Sequence, residues 1–437
     1  MEGKTEPTTS GQDNCFRNCS QSVMSDGPRK RVLFVAEGVT LAHVTRPLVL
    51  ARSLDSTLFE IHFACAAGYD EILTNLSAHF WPINSISSEQ FLRSLSTGRP
   101  VYNRATLHSY VDEDLQLLEK IHPDLVIGDF RLSLSVSAAH CRVPYVAITN
   151  AYWSKYFTTD HYPVPDLPVT RIFGVSLTST IFKRIQPMVF AYHARPLNEV
   201  RRDYRMPPLA NLLETYTDGD YVLYADIPGL FPTTGRPNNH HYLGPVSWAP
   251  NIGLPDWWCD LNAEKPLVFV SLGSSGPVYV LPTVIETLAR LPVNVVLATA
   301  GRWKTSNHPS NVWAADFLPG DQVAKRARLV ICNGGSPSVY QALKEGIPVI
   351  GIPSNMDQHL MMEAIVREGA GLLVRSEHAS KRNLQKAIAE ILKGETYFEH
   401  AQRLQKEITR HCAAKTFAAL VVNLTLGPSQ EPIGAPR

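Results

Sequence analysis

Short runs of β-branched and aliphatic residues recur along the chain, each followed by a loop and then by a stretch with apolar positions three and four apart. Such runs read as buried strands, and the three-four spacing reads as amphipathic helix. The first run is Arg31-Val-Leu-Phe-Val-Ala36, with a helix expected over 43–54. Further strands are expected at 60–64, 125–128, 145–149 and 221–224, the last closing this series. A second series opens with Pro266-Leu-Val-Phe-Val-Ser-Leu-Gly273. It continues with strands at 294–297, 329–332 and 348–352 and helices near 280–290, 337–345, 357–367 and 380–392. Strand and helix in alternation give a parallel sheet covered on both faces, so the expected class is α/β.

A proline- and tryptophan-rich stretch, containing Trp248 and Pro255-Asp-Trp-Trp258, separates the two series. It divides the chain into domains at 30–240 and 266–426 with a linker at 241–265, the last helix being able to pack back on the first domain. A length of 437 residues agrees, because single cores stop growing at about 250–300 residues. Residues 1–29 and 427–437 are polar and aperiodic and are expected to be a disordered leader and tail.

Composition removes several classes of function. Lysine plus arginine (41) nearly cancels aspartate plus glutamate (40), and no basic footprint for a nucleic-acid partner results. The seven cysteines are scattered, and the close pair Cys15 and Cys19 lacks histidines or a second pair nearby. All seven are expected as free thiols in a reducing compartment. With no signal-peptide core and no apolar stretch of roughly 18 residues, the chain reads as cytoplasmic.

The segment from Leu329 to Gln358 runs strand, glycine loop, helix, strand, loop. Gly334 and Gly335 permit positive φ and a close backbone approach. Ser336 is the expected N-cap and Pro337 the first helical residue, so free N–H groups would face the glycine loop and suit a diphosphate. A plain strand-to-helix turn needs no more than this. Here, however, the chain resembles the family-1 glycosyltransferases, which include the macrolide and plant natural-product enzymes. Their donor signature is matched by Asn333-Gly334-Gly335, Ser338, Gln341, Gly346-Ile347-Pro348 and Asp357-Gln358. Two further segments, Ser271-Leu-Gly273-Ser274-Ser275 and Phe317-Leu318-Pro-Gly-Asp-Gln322, are similar to the family's phosphate loop and base-reading stretch. Asn333 stands where histidine is usual and Gln341 where glutamate is usual. Both keep hydrogen-bonding capacity and discard charge or ionisability.

In the first half, Ala42-His43 followed by Pro47 resembles the family's glycine-histidine motif, with alanine in place of the glycine. Pro123-Asp-Leu-Val-Ile-Gly-Asp129 resembles the strand that ends in its orienting aspartate. The resemblance implies a GT-B fold, two facing Rossmann-like domains with a cleft between them. It implies that Gly273, Ser274, Ser275, Asn333, Gly334, Gly335, Ser336 and Ser338 hold the phosphates. Leu318 would meet the base, Gln341 the ribose, and Asp357 and Gln358 the sugar. His43 would be the general base and Asp129 its partner, since an attacking hydroxyl must lose its proton as the bond to the anomeric carbon forms.

The activity so implied is inverting transfer of a hexose, of glucose or N-acetylglucosamine class, from a UDP-linked donor to a small, aromatic or lipidic acceptor. No metal and no other cofactor are expected from the resemblance, and a nicotinamide enzyme would need Gly-x-Gly-x-x-Gly after the first strand, which this chain lacks. A non-catalytic nucleotide-sugar binder, or an epimerase or hydrolase on the same fold, stays open beside it. Tyr152, Trp153, Tyr156 and Phe157 read either as acceptor pocket or as core. The apolar and basic run 172–185 fits the same pocket or contact with a membrane surface.

Overall fold

The computed structural model describes residues 28–304 and 308–427. The expected leader and tail, with Cys15 and Cys19, lie outside these apart from residues 28, 29 and 427. Seven parallel strands form the first sheet: β1 (Lys30–Ala36), β2 (Phe59–Cys65), β3 (His79–Pro82), β4 (Leu125–Asp129), β5 (Tyr145–Thr149), β6 (Tyr221–Tyr224) and β7 (His240–Tyr242). Their order is β3-β2-β1-β4-β5-β6-β7. Six parallel strands form the second: β8 (Leu267–Ser271), β9 (Asn294–Ala298), β10 (Val312–Ala315), β11 (Ala327–Cys332), β12 (Val349–Gly351) and β13 (Gly371–Leu373). Their order is β10-β9-β8-β11-β12-β13.

The central strands show why their sequences are continuously apolar. In β1, Val32, Phe34 and Ala36 enter one core cluster while Leu33 and Val35 enter another. In β8, Val268 and Val270 face one cluster, Leu267 and Phe269 the other. Each strand is covered on both faces, as parallel sheets require. The first sheet does not close at β6, because β7 pairs beyond it in parallel. The final helix, Ala413–Leu426, returns to the first sheet, where Phe417 is buried with its ring 5.9 Å from Phe34. Cys65, Cys141, Cys259 and Cys332 are free, whereas Cys412 is disulfide-bonded, which corrects the expectation for that residue.

In the first sheet, chain direction across the sheet reverses between β1 and β4, and in the second between β8 and β11. Ligands of such sheets lie beyond the carboxyl ends of the strands at this point. The two points face each other. Leu41 N donates to Ser274 Oγ at 3.3 Å, Asn150 Nδ2 to Ser336 Oγ at 3.3 Å, and Tyr340 Oη to Asp226 Oδ1 at 3.1 Å.

Candidate active site

The loop after β1 leads into the helix Leu41–Ala51, which carries His43 in its first turn, and Asp129 is the last residue of β4. Because β1 and β4 are neighbours, the two side chains meet, with His43 Nδ1 2.8 Å from Asp129 Oδ1. Asp129 is fully buried and has a second partner that the sequence motifs did not indicate. Arg46, one turn beyond His43 on the same helix face, donates from Nε to Oδ2 and from Nη2 to Oδ1, both at 2.8 Å. Its Nη1 reaches Asn150 Oδ1 at 2.9 Å. Burial alone would lower the Arg46 pKa, but the charge of Asp129 overcomes it and the net direction is upward. The 3.1 Å approach of Arg46 Nη2 to His43 Nδ1 follows from the shared acceptor Oδ1. With Nδ1–H given to Asp129, Nε2 is the accepting nitrogen of a neutral His43. The imidazole stacks on Phe130, with centroids 4.6 Å apart, and forms part of the cleft wall.

Across the cleft, Gly273 turns at φ +61°, and Ser274 and Ser275 follow it. After β11, Asn333 Oδ1 accepts from Gly335 N at 3.1 Å while its Nδ2 donates to Ser275 Oγ at 3.3 Å. The amide thus braces both loops at once, a use for the residue that departs from the family pattern. Gly334 has φ +79°, and a Cβ there would lie 2.6 Å from Met362 Cγ, so it packs on the helix Met356–Arg367 rather than lining the cleft. The helix Ser336–Lys344 begins one residue earlier than expected: Gly335 is its N-cap, and Ser336 and Pro337 are its first two residues. Ser336 does not cap, and its oxygen accepts from Asn150 instead. Ser338, Gln341 and Leu318 line the cleft, and the Gln341 amide occupies the space that a Cβ on Gly320 would take.

Asp357 and Gln358 also line the cleft, but both already have protein partners. Asp357 Oδ1 accepts from Trp153 Nε1 at 2.8 Å. Gln358 Oε1 accepts from Ser354 N at 3.0 Å, and its Nε2 reaches Ser275 Oγ at 3.4 Å. The helix that carries them is capped by Asn355, not by Asp357.

Of the four aromatics read as pocket or core, Trp153 lines the cleft, Tyr152 belongs to the core, and Tyr156 and Phe157 are half-buried and lie outside the cleft wall. Tyr152 is fully buried with its ring 4.7 Å from Phe231, Phe157 lies 5.9 Å from the same ring, and Tyr156 meets His240 edge-on at 5.3 Å. The whole cleft encloses about 780 Å³, and its remaining wall is made largely by apolar side chains of the helices Ser88–Thr97 and Val175–Asp203. Among the described residues, a group able to ligate a metal is Glu60, His62 and His79 on β2 and β3. None of them lines the cleft, and Trp81 Nε1–H donates to His62 Nδ1 at 3.1 Å, leaving the proton of a neutral His62 on Nε2.

Residues 282–424 match the profile of the erythromycin biosynthesis protein CIII-like C-terminal domain. A PGL/p-HBAD biosynthesis glycosyltransferase of Mycobacterium tuberculosis (strain ATCC 25177 / H37Ra) is 48% identical over 377 residues, 86% of this chain and 88% of the other. The chain belongs to the family-1-type GT-B glycosyltransferases. A PGL/p-HBAD biosynthesis rhamnosyltransferase of Mycobacterium bovis (strain BCG / Pasteur 1173P2) is 47% identical to this glycosyltransferase, covering 86% of it and 84% of the relative. Among solved structures, the Streptomyces sp. SF2575 glycosyltransferase SsfS6, complexed with thymidine diphosphate, superposes with a TM-score of 0.64 at 18% identity, covering 90% of this chain and 99% of that one. At that identity the likeness establishes the GT-B fold of the glycosyltransferase and nothing finer. No helix among its described residues is long and apolar enough to cross a membrane.

Proposed function

We propose that this glycosyltransferase moves a 6-deoxyhexosyl group of rhamnose class from a thymidine-diphosphate donor to a hydroxyl of a small apolar acceptor, with inversion. The observation that carries this reading is the meeting of the His43–Asp129 pair with the glycine loops across one cleft, held by the Leu41–Ser274 bond. His43 Nε2 takes the proton of the acceptor hydroxyl as its oxygen bonds to the anomeric carbon. The bond from that carbon to the phosphate oxygen breaks on the opposite face, and the nucleoside diphosphate leaves. Asp129 fixes the imidazole and balances the charge of the imidazolium, and Arg46, bonded to both of its oxygens, holds Asp129 oriented. The N-terminus of Ser336–Lys344, Ser338 and the loop 273–275 receive the developing charge, so we propose that no metal is needed.

The donor choice is supported from two directions. Relatives carry rhamnosyltransferase and thymidine-diphosphate descriptions. In this chain the two side chains suited to vicinal sugar hydroxyls, Asp357 and Gln358, are already bonded to Trp153, Ser354 and Ser275. A 6-deoxyhexose keeps its vicinal ring hydroxyls but lacks the one at C6, and so has one polar contact fewer to lose against such a wall. UDP-glucose and UDP-N-acetylglucosamine are the competing donors. Turnover and binding measured separately with these and thymidine-diphosphate rhamnose decide the matter. Preference for a UDP-hexose would overturn the donor assignment, and binding without turnover on any acceptor would favour the non-catalytic reading.

A further inference from the structure

The helices Pro168–Phe173 and Val175–Asp203 turn an apolar stripe towards solvent. Ile172 and Met188 are each 74% exposed, and Leu177, Ile181, Ile185 and Tyr192 between 42% and 51%. On the long helix positions 177, 181, 185, 188 and 192 fall on one face, being four or three residues apart. Apolar surface of this extent at the edge of a protein marks an interaction site. Its charge tells which kind. From 167 to 198 the chain contains no aspartate or glutamate, but it has Arg171, Lys183, Arg184 and Arg195. Arg195 meets Glu199, and Arg171 lies 4.0 Å from Glu377. Lys183 and Arg184 are exposed and have no acidic partner among the described residues. The same stripe is the outer lip of the cleft, since Leu177, Ile181 and Ile185 are both exposed and part of its lining.

We propose that this face docks on an anionic lipid bilayer. The helix Val175–Asp203 lies in the interface plane, Ile172, Met188 and Tyr192 enter the acyl boundary, and Lys183 and Arg184 meet headgroup phosphates. The stretch 172–195 of this segment carries cations and no acidic residue, while Glu199 and Asp203 at the far end of the helix are paired with Arg195 and Arg104, and the absence of a spanning stretch places the contact on the surface rather than through it. The mouth of the cleft then opens onto the membrane, and an acceptor held in the bilayer reaches His43 without crossing water. That last step rests on the proposed acceptor site, whereas docking does not.

The test is flotation of the full chain with vesicles of phosphatidylcholine alone and of phosphatidylcholine with phosphatidylglycerol, at physiological ionic strength. Binding is expected with the anionic vesicles alone. K183E/R184E should weaken it at least about tenfold, by the worth of two cations near such a surface. I172S/M188S should weaken it independently, and it provides the result if the charge-reversed chain fails to fold. None of these four residues lines the cleft, so turnover on a water-soluble acceptor should persist in both variants. No flotation, or flotation indifferent to both pairs of substitutions, would overturn the proposal. So would a concentration-dependent dimer broken by I172S/M188S in a protein that ignores vesicles, which would give the face to a second copy. Flotation that responds to both pairs, in a protein whose turnover is indifferent to His43, would uphold docking and overturn the proposed acceptor site.

Discussion

Trp153 Nε1 donates to Asp357 Oδ1 at 2.8 Å, joining the short helix after β5 to the first turn of the helix after β12 across the cleft. One oxygen of a carboxylate well placed for a sugar hydroxyl therefore already has a donor. Trp153→Phe removes the donor and leaves Asp357 free to accept from a ligand. The ratio of kcat/KM for glucosyl over rhamnosyl donor should rise about tenfold, the worth of one such buried bond. An unchanged ratio, measured with both donors at the same acceptor, would show that this bond has no part in donor choice.

The dyad is tested at its two members. His43→Ala should lower turnover on the order of 10²–10⁴-fold with donor binding little changed, because it removes proton transfer and not the donor contacts. Asp129→Asn should lose less, since the base remains but is poorly held. Wild-type turnover in His43→Ala on the true acceptor would dismiss the assignment.

Arg46 is a structural partner before it is anything else. Arg46→Met keeps the apolar stem and deletes the cation that meets both oxygens of the fully buried Asp129. Breaking such a pair from one side should cost about 3 kcal/mol in urea unfolding. In the double variant Arg46→Met/Asp129→Asn much of that loss should return, because no unpaired charge is left buried. If the double variant is as unstable as the sum of the singles, the two residues do not act as a pair.

Asp226 gives the clearest dependence on pH. Burial pushes its carboxyl up to about 6, against the opposing hydrogen bonds from Ala151 N, Asn150 Nδ2 and Tyr340 Oη. Because the folded value lies above the ordinary one, the stability it contributes is fully present below about pH 4 and is lost as pH rises through about 6. Compared with Asp226→Asn, the wild type should lose roughly 3 kcal/mol of relative stability between those limits, the equivalent of two pKa units. Unfolding curves of both proteins at several pH values check this, and a constant difference would show that Asp226 does not titrate there.

Activity should persist in excess chelator, because the helix terminus at Ser336 and the loop 273–275 supply the positive potential that a cation would otherwise provide. Loss of activity that manganese restores would refute this account of leaving-group stabilisation.

The central strands could be read from sequence because they are buried on both faces and therefore spelled by unbroken apolar runs, as in Val32–Ala36 and Leu267–Val270. The four strands that went unread, β3, β7, β10 and β13, are the four edges of the two sheets. They are three or four residues long, and His79-Phe-Trp-Pro82 is largely exposed, so neither length nor pattern betrayed them. The site loops were legible for a related reason. A turn at positive φ with no room for a Cβ, as at Gly334, leaves glycine as the residue that fits, and this is written in the chain itself.

What each side chain touches was decided only by the tertiary structure. The spacing of His43 and Asp129 in sequence holds no information on their contact, which arises because β1 and β4 pair in parallel. That pairing also brings in Arg46, whose polar character gives no hint of a buried carboxylate 83 residues away. Tyr152, Trp153, Tyr156 and Phe157 look alike as a string, but the short helix after β5 turns Trp153 to the cleft and Tyr152 into the core. Asp357 and Gln358 bear the chemistry expected of sugar contacts, and the fold has already given them partners. Local sequence determines periodicity and backbone conformation. Which hydrogen bonds remain open to a ligand depends on residues brought from the other sheet, and the folded chain alone sets those distances.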